Sequence, residues 1–262
     1  MTRTGRRPFA IANWKMAMTV EEALDFARHF PPLVGSLPQR MDIVICPPYT
    51  SLYLLAQALR GSGIALGGQN LYPGPGAAFT GEISAELLRD VGCQWVLLGH
   101  WERRRHFGET DELVNRKVLA ALGAGLRPIL LIGEPTEARE RWKEAVAGQL
   151  WRVLAECRAE AVAGMAFVYE PEWAIGVREP APPERVQAGC GYIRAWLEER
   201  FGAEAATAAR IIYGGSVTPD VAADLLSGPE VDGLGAGRKG RDARAFAAIV
   251  QAIARAKELT SG

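Results

Sequence analysis

Residues 168–176 read VYEPEWAIG, a short β-rich run that carries Glu170 to its own end and passes at once into a loop holding Pro171 and Trp173. In parallel α/β folds, active sites begin where strands end. A carboxylate at such an end, followed by such a loop, has the pattern of a catalytic base beneath a lid. An isolated Glu there would ordinarily open a surface loop. Glu170 is not isolated: Lys15, His100 and Ser216 also stand at the ends of short apolar runs.

Extended in both directions, the same reading gives a repeat. Short apolar runs occupy 9–14, 42–46, 64–68, 95–98, 128–132, 166–169, 210–213 and 231–234. Fully apolar short runs suit strands covered on both faces, as in a parallel sheet. Longer segments with helical spacing lie between them, at 19–30, 50–59, 84–91, 110–122, 136–161, 182–201, 218–226 and 243–259. Thr19 with Glu22 three residues on is a capping-box pattern, and Pro47-Pro48 separates the second run from its helix. Eight βα units in 262 residues predict a closed (β/α)8 barrel with little room for insertions. A doubly wound open sheet is the alternative that repeat counting leaves standing. No Pro/Gly-rich linker divides residues 1–262, so one domain is expected.

Composition narrows the class. An apolar content of 48% excludes a disordered chain, and 30 basic against 30 acidic residues leave no net charge to draw nucleic acid or an anionic membrane. Arg103, Arg104 and Arg105 lie beside Glu102 and Glu109 and read as a salt-bridged structural patch. The four cysteines are widely spaced without a CxxC, as small buried hydrophobes in a reducing compartment. Three histidines offer no metal-site spacing, and no run approaches transmembrane length. A soluble cytoplasmic protein is expected.

The strand ends carry the chemistry. Asn13 and Lys15 are two apart, so strand alternation sends both to one side, where a lysine supplies fixed positive charge for an anionic substrate. Taken alone, Lys15 would be a solvated residue. Run four ends LLGHWERR and leaves the His100 imidazole at a tight turn. Such a histidine is most often a loop hydrogen-bonding group, but Glu102 and the opposing Glu170 favour an acid or electrophile. Runs seven and eight end YGGSVTPD and DGLGAGRKG. One glycine turn is usually only a turn; two after the last runs of a barrel point to phosphate.

ANWKM (12–16), GGQN (67–70), AFTGEIS (78–84), LLGHWERR (97–104), IGE (132–134), YEPEWAIG (169–176), YGGSV (213–217) and VDGLGAG (231–237) together resemble the triosephosphate isomerase family, nearly end to end and in the family's order. The resemblance implies a barrel, a glycolytic isomerase, a homodimer, a sugar-phosphate substrate, no cofactor and no metal. It makes Glu170 the base that moves a proton between adjacent carbons and His100 the neutral imidazole that polarises the carbonyl. That pairing is the established example of a Glu base working with a neutral His. Lys15 would balance substrate charge, Asn13 position the substrate and Glu102 order the site. Gly176, Ser216 and Gly237 would offer amides to the phosphate; Arg238, standing where the family has a second glycine, would either add a charge-assisted contact to it or point to solvent. The lid would comprise Pro171, Trp173, Ala174 and Ile175, with Tyr213 holding its closed form. The loop 72–82 would be the dimer loop, its Thr80 reaching the partner's Asn13 and Lys15.

Departures from the family pattern are Ala17, Trp101 after His100, Leu131 before IGE, Val177-Arg178-Glu179-Pro180 in the lid's second half, and Arg238 after Gly237. A Gly-Arg turn also resembles relatives acting on four-carbon ketose phosphates such as erythrulose phosphate, which stands as the alternative substrate. A silent phosphate-binding barrel is the remote alternative, opposed by the intact set Lys15, His100 and Glu170.

Overall fold

The structure, a computed structural model, describes residues 5–74 and 76–259. Eight parallel strands close in chain order: β1 (Phe9–Asn13), β2 (Asp42–Cys46), β3 (Ala65–Gly68), β4 (Trp95–Leu98), β5 (Arg127–Ile132), β6 (Ala166–Tyr169), β7 (Arg210–Gly214) and β8 (Gly233–Ala236). β1 pairs with β2 on one side and β8 on the other, so no edge is left and the open-sheet alternative falls. The architecture is a (β/α)8 barrel.

Strand alternation divides the apolar residues into two cores. Phe9, Ile11, Val44, Leu97, Leu131 and Val168 fill the barrel's interior, while Ala10, Ala12, Ile43, Ile45 and Phe167 face outward to the helices. Extending the inward set by one more step along β1 and β6 reaches Asn13 and Glu170. The two-residue period therefore delivers both side chains to the open end of a packed interior.

The helices differ from the sequence reading where local chemistry overrides spacing. Helix Val20–Val34 has its capping box in place but runs on through Pro31 and Pro32. Both prolines lie near its C-terminal end, where buried Phe30 and Val34 hold the segment on the barrel. The stretch 136–161 is not one helix. It divides into a 3-10 turn Thr136–Arg141, helix Trp142–Val153 and helix Ala159–Ala163, with Glu156 at φ 63° in the break. Only Ala222–Leu225 of 218–226 is helical. An unforeseen helix, Trp101–Phe107, follows β4 directly, with the His100 side chain accepting from the Glu102 amide as its N-cap.

Candidate active site

The ends of β1, β4, β6, β7 and β8 converge on a common cavity of about 920 Å³, lined by Asn13, Lys15, His100, Glu170, Gly214 and the turns after β7 and β8. Lys15 leaves β1 with φ 54°, a left-handed conformation that a non-glycine residue adopts only when its surroundings hold it there. Its amide donates to Asn13 Oδ1 (3.0 Å), its carbonyl accepts from Gln69 Nε2 (2.8 Å), and its Nζ donates to Glu102 Oε1 (2.6 Å).

His100 is buried, and its Nδ1 accepts the backbone N–H of Glu102 at 3.2 Å. An accepting Nδ1 carries no proton, so the neutral ring bears its N–H on Nε2. Burial, helped by the Lys15 charge, lowers the His100 pKa to about 4, so the ring stays neutral at physiological pH. Nε2 points at Glu170 Oε2 across 3.6 Å, beyond a good hydrogen bond, and both atoms are buried without a hydrogen-bonding partner.

Glu170 follows β6, its amide donating to Ile132 O at 2.8 Å. Burial raises the carboxyl pKa to about 8; the Lys15 charge pulls the other way, and Glu102 adds to the rise. A carboxylate so placed is a much stronger base than one in water. Gly214 makes room for it: a Cβ there would stand 2.7 Å from Val168 Cγ1 and 3.4 Å from Glu170 Oε1.

The segment expected to form a lid begins with a 3-10 turn, Glu172–Ala174, and is fastened by hydroxyls of the YGGS turn. Ser216 Oγ donates to Val177 O (2.7 Å), and Tyr213 Oη accepts from the Ala181 amide (2.9 Å). Ala174 is buried, whereas Ile175, Gly176 and Arg178 line the cavity together with Gly237 and Arg238. Among the described residues no cluster of three or more His, Cys, Asp or Glu could hold a metal ion, and no helix is long and apolar enough to cross a membrane.

A family model described as triosephosphate isomerase matches residues 8–253. Proteins named triosephosphate isomerase from Carboxydothermus hydrogenoformans and Symbiobacterium thermophilum are each 44% identical, covering 94% and 96% of this chain and 98% and 99% of their own lengths. One from Nitratidesulfovibrio vulgaris is 45% identical over 92% of this chain and 98% of its own.

The chain belongs to the triosephosphate isomerase family.

Membership in the triosephosphate isomerase family makes it an isomerase, and it focuses attention on groups that sequence reading named without a role. Fully buried Glu134, quoted only within IGE, accepts from the lid's Trp173 Nε1 (2.9 Å), Arg185 (2.6 Å) and Tyr169 Oη (3.1 Å). Arg139 stacks over the Trp173 ring at 4.0 Å. An acid two residues past an apolar run, in the same position relative to its strand as other site groups, was the available signal.

The departures also find places. Trp101 starts the helix after β4, half-buried, with its ring 6.2 Å from that of His100 and 5.8 Å from that of His106. The arginine patch is ion-paired as expected: Arg103 with Glu109, Arg104 with Asp111, and Arg105 with Glu137 and Glu172. Thr80 is exposed on the 72–82 loop, of which Pro75 lies outside the described residues.

Proposed function

We propose that the chain, acting as one domain in the cytoplasm, interconverts D-glyceraldehyde 3-phosphate and dihydroxyacetone phosphate without a cofactor. The observation that carries this reading is the facing pair His100 Nε2 and Glu170 Oε2, both buried and unpartnered, 3.6 Å apart at the barrel mouth. A carboxylate base and a neutral N–H donor on one substrate are what proton transfer next to a carbonyl requires.

In the forward step the Glu170 carboxylate removes a proton from the carbon beside the carbonyl. The C–H electron pair moves into the new C=C bond, and charge collects on the carbonyl oxygen. His100 Nε2–H donates to that oxygen, and Lys15 offsets the charge. The imidazole then passes a proton between the two oxygens, and Glu170 returns its proton to the neighbouring carbon. Asn13 orients the substrate, and Glu102 holds both Lys15 and the His100 ring through its side chain and amide. Amides of Gly176, Ser216 and Gly237, with the Arg238 side chain, bind the phosphate. The lid Pro171, Trp173, Ala174 and Ile175 excludes water, which an enediolate needs if it is not to expel phosphate. Tyr213 and Ser216 anchor the closed lid. A second copy of the chain covers the exposed Met16, Tyr49 and Phe79, and Thr80 reaches Asn13 and Lys15 of that copy.

The test compares kcat/KM for glyceraldehyde 3-phosphate and erythrulose phosphate in the wild type and Glu170→Asp. We expect a strong preference for the triose, rising with pH through about 8 as Glu170 loses its proton. Withdrawing the base by one methylene should lower kcat roughly 100-fold or more at unchanged thermal stability. Equal turnover by wild type and variant would remove Glu170 from the mechanism.

A further inference from the structure

The cavity holds more positive charge than the reaction above uses. Besides Lys15, its lining includes Arg178 from the lid and Arg238, Lys239 and Arg241 from the turn after β8. Lys15 is paired with Glu102, whereas among the described residues none of the other four has a carboxylate within salt-bridge distance. The acids in the lining are Glu170 and Asp242, and Asp242 Oδ1 is occupied in capping helix Ala243–Ala256 through the Ala245 amide at 2.7 Å. Arg241 also borders a neighbouring cavity that holds Glu21, Glu22 and Asp25, none of which lies within salt-bridge distance of it.

Exposed cations at a rim need no explanation, and Arg178, Arg238 and Lys239 are exposed. Arg241 is different. It is half-buried, and its Nε is shut off from solvent with no acceptor. A guanidinium N–H in that state is unfavourable, and an anion in the cavity that Arg241 lines would offset it with a charge-assisted bond.

The backbone that carries Arg241 is fixed. Trp14 Nε1 donates to Gly240 O at 2.8 Å in a buried bond, and Gly240 N donates to Gly237 O at 3.0 Å. Gly240 lies so close to β1 that a Cβ there would stand 2.9 Å from Ala12 Cβ. The turn between the phosphate-cradling Gly237 and Arg241 is thus stitched to the first strand. The backbone from which Arg241 projects is therefore set before any ligand arrives.

We infer that Arg241 is an anion-binding residue. With Arg238 it forms a side-chain subsite that binds the substrate's phosphate dianion alongside the backbone amides. This rests on the isomerase reading for the identity of the substrate but not for the existence of the subsite. Binding of a phosphate by this barrel therefore depends on fixed charge, and weakens with salt more steeply than binding by amides alone.

The probe is inorganic phosphate, measured as a competitive inhibitor of turnover and, independently, by titration calorimetry. Arg241→Leu should raise both KM and the phosphate dissociation constant roughly tenfold or more, with kcat within about threefold. Arg241→Lys should recover part of the loss, and the salt dependence of phosphate binding should flatten in Arg241→Leu. If Arg241→Leu does not fold, Arg241→Gln keeps a donor, drops the charge and should give the same rise. Unchanged phosphate affinity in a folded Leu or Gln variant would overturn the inference. A wild type that binds phosphate but turns over no triose would instead overturn the reaction and leave the subsite standing.

Discussion

The two ends of the barrel are built from the same strands, yet they use charge in opposite ways. At the N-terminal end, Phe9 meets Trp95 edge-on at 5.0 Å, and Arg127 and Arg210 lie over the same indole at 4.1 and 5.3 Å. Asp232 accepts from Arg6 (2.6 Å), Arg194 (2.7 Å) and the Ile211 amide (2.8 Å), and Arg7 pairs with Asp42 at 2.9 Å. At the C-terminal end, the buried Nε2 of His100, Oε2 of Glu170 and Nε of Arg241 are unpartnered, and Lys15 and Ser216 hold left-handed backbones. The N-terminal end pairs its carboxylates with arginines, leaving the nitrogens Trp95 Nε1 and Arg210 Nε buried without an acceptor; the C-terminal end leaves a carboxylate and an imidazole unpaired where they face a shared cavity. Stability and function are thus separated along the barrel axis.

The comparison breaks most visibly at Trp95. Trp95→Ala removes a fully buried indole and the platform of two arginines, and should cost about 3–5 kcal/mol in denaturant unfolding. The kcat of the folded fraction should stay unchanged. A large loss of kcat at full folding would mean the two ends are coupled.

Glu170→Gln sharpens the contrast from the other end, because the functional carboxylate should be a burden on stability. Its pKa is raised in the folded protein, so its contribution to stability is present below the unfolded-state value of 4.5 and is lost as pH rises to about 8. The variant should therefore gain on the wild type across that window, reaching roughly 2–4 kcal/mol above pH 8. His100 titrates in the opposite sense, losing stability as pH falls from 6.5 towards about 4, but does so in both proteins. Thermal melts of the pair from pH 4 to 9 check this; a gap that is flat with pH would refute the raised carboxyl.

The smallest effect lies on the lid. Trp173→Phe keeps the ring but removes the N–H that Glu134 accepts, leaving Arg185 and Tyr169 to hold that carboxylate. About 1 kcal/mol of lid tethering should be lost, read as a few-fold rise in KM with little change in melting temperature.

How legible each end was follows from the physics that shapes it. The strand ends could be read because a two-residue period is rigid: once Phe9 and Ile11 face inward, so does Asn13, and Val168 commits Glu170 in the same way. The helices were less legible. Nothing in the apolar spacing of 136–161 signals that Glu156 takes a left-handed turn, and nothing in LLGHWERR signals that His100 caps a helix. Glu134 and Arg241 were missed for a related reason. Their importance lies in what surrounds them in space, a Trp173 indole in one case and an Nε buried without an acceptor in the other. The comparisons with relatives supply the family, whereas the distances at His100 and Glu170 come from the geometry alone.

The seam between β1 and β8 has a consequence for how the chain is made. β1 is made before every other strand of the barrel, and β8 is separated from it by some two hundred residues. Until Gly233–Ala236 emerges, one side of the first strand has no ladder to join, and the Trp14 indole has no Gly240 carbonyl to meet. The nascent chain therefore carries an open sheet edge throughout synthesis. The strand that closes the sheet runs straight into the Gly237–Arg241 turn, so closing the barrel and forming the last wall of the cavity happen together.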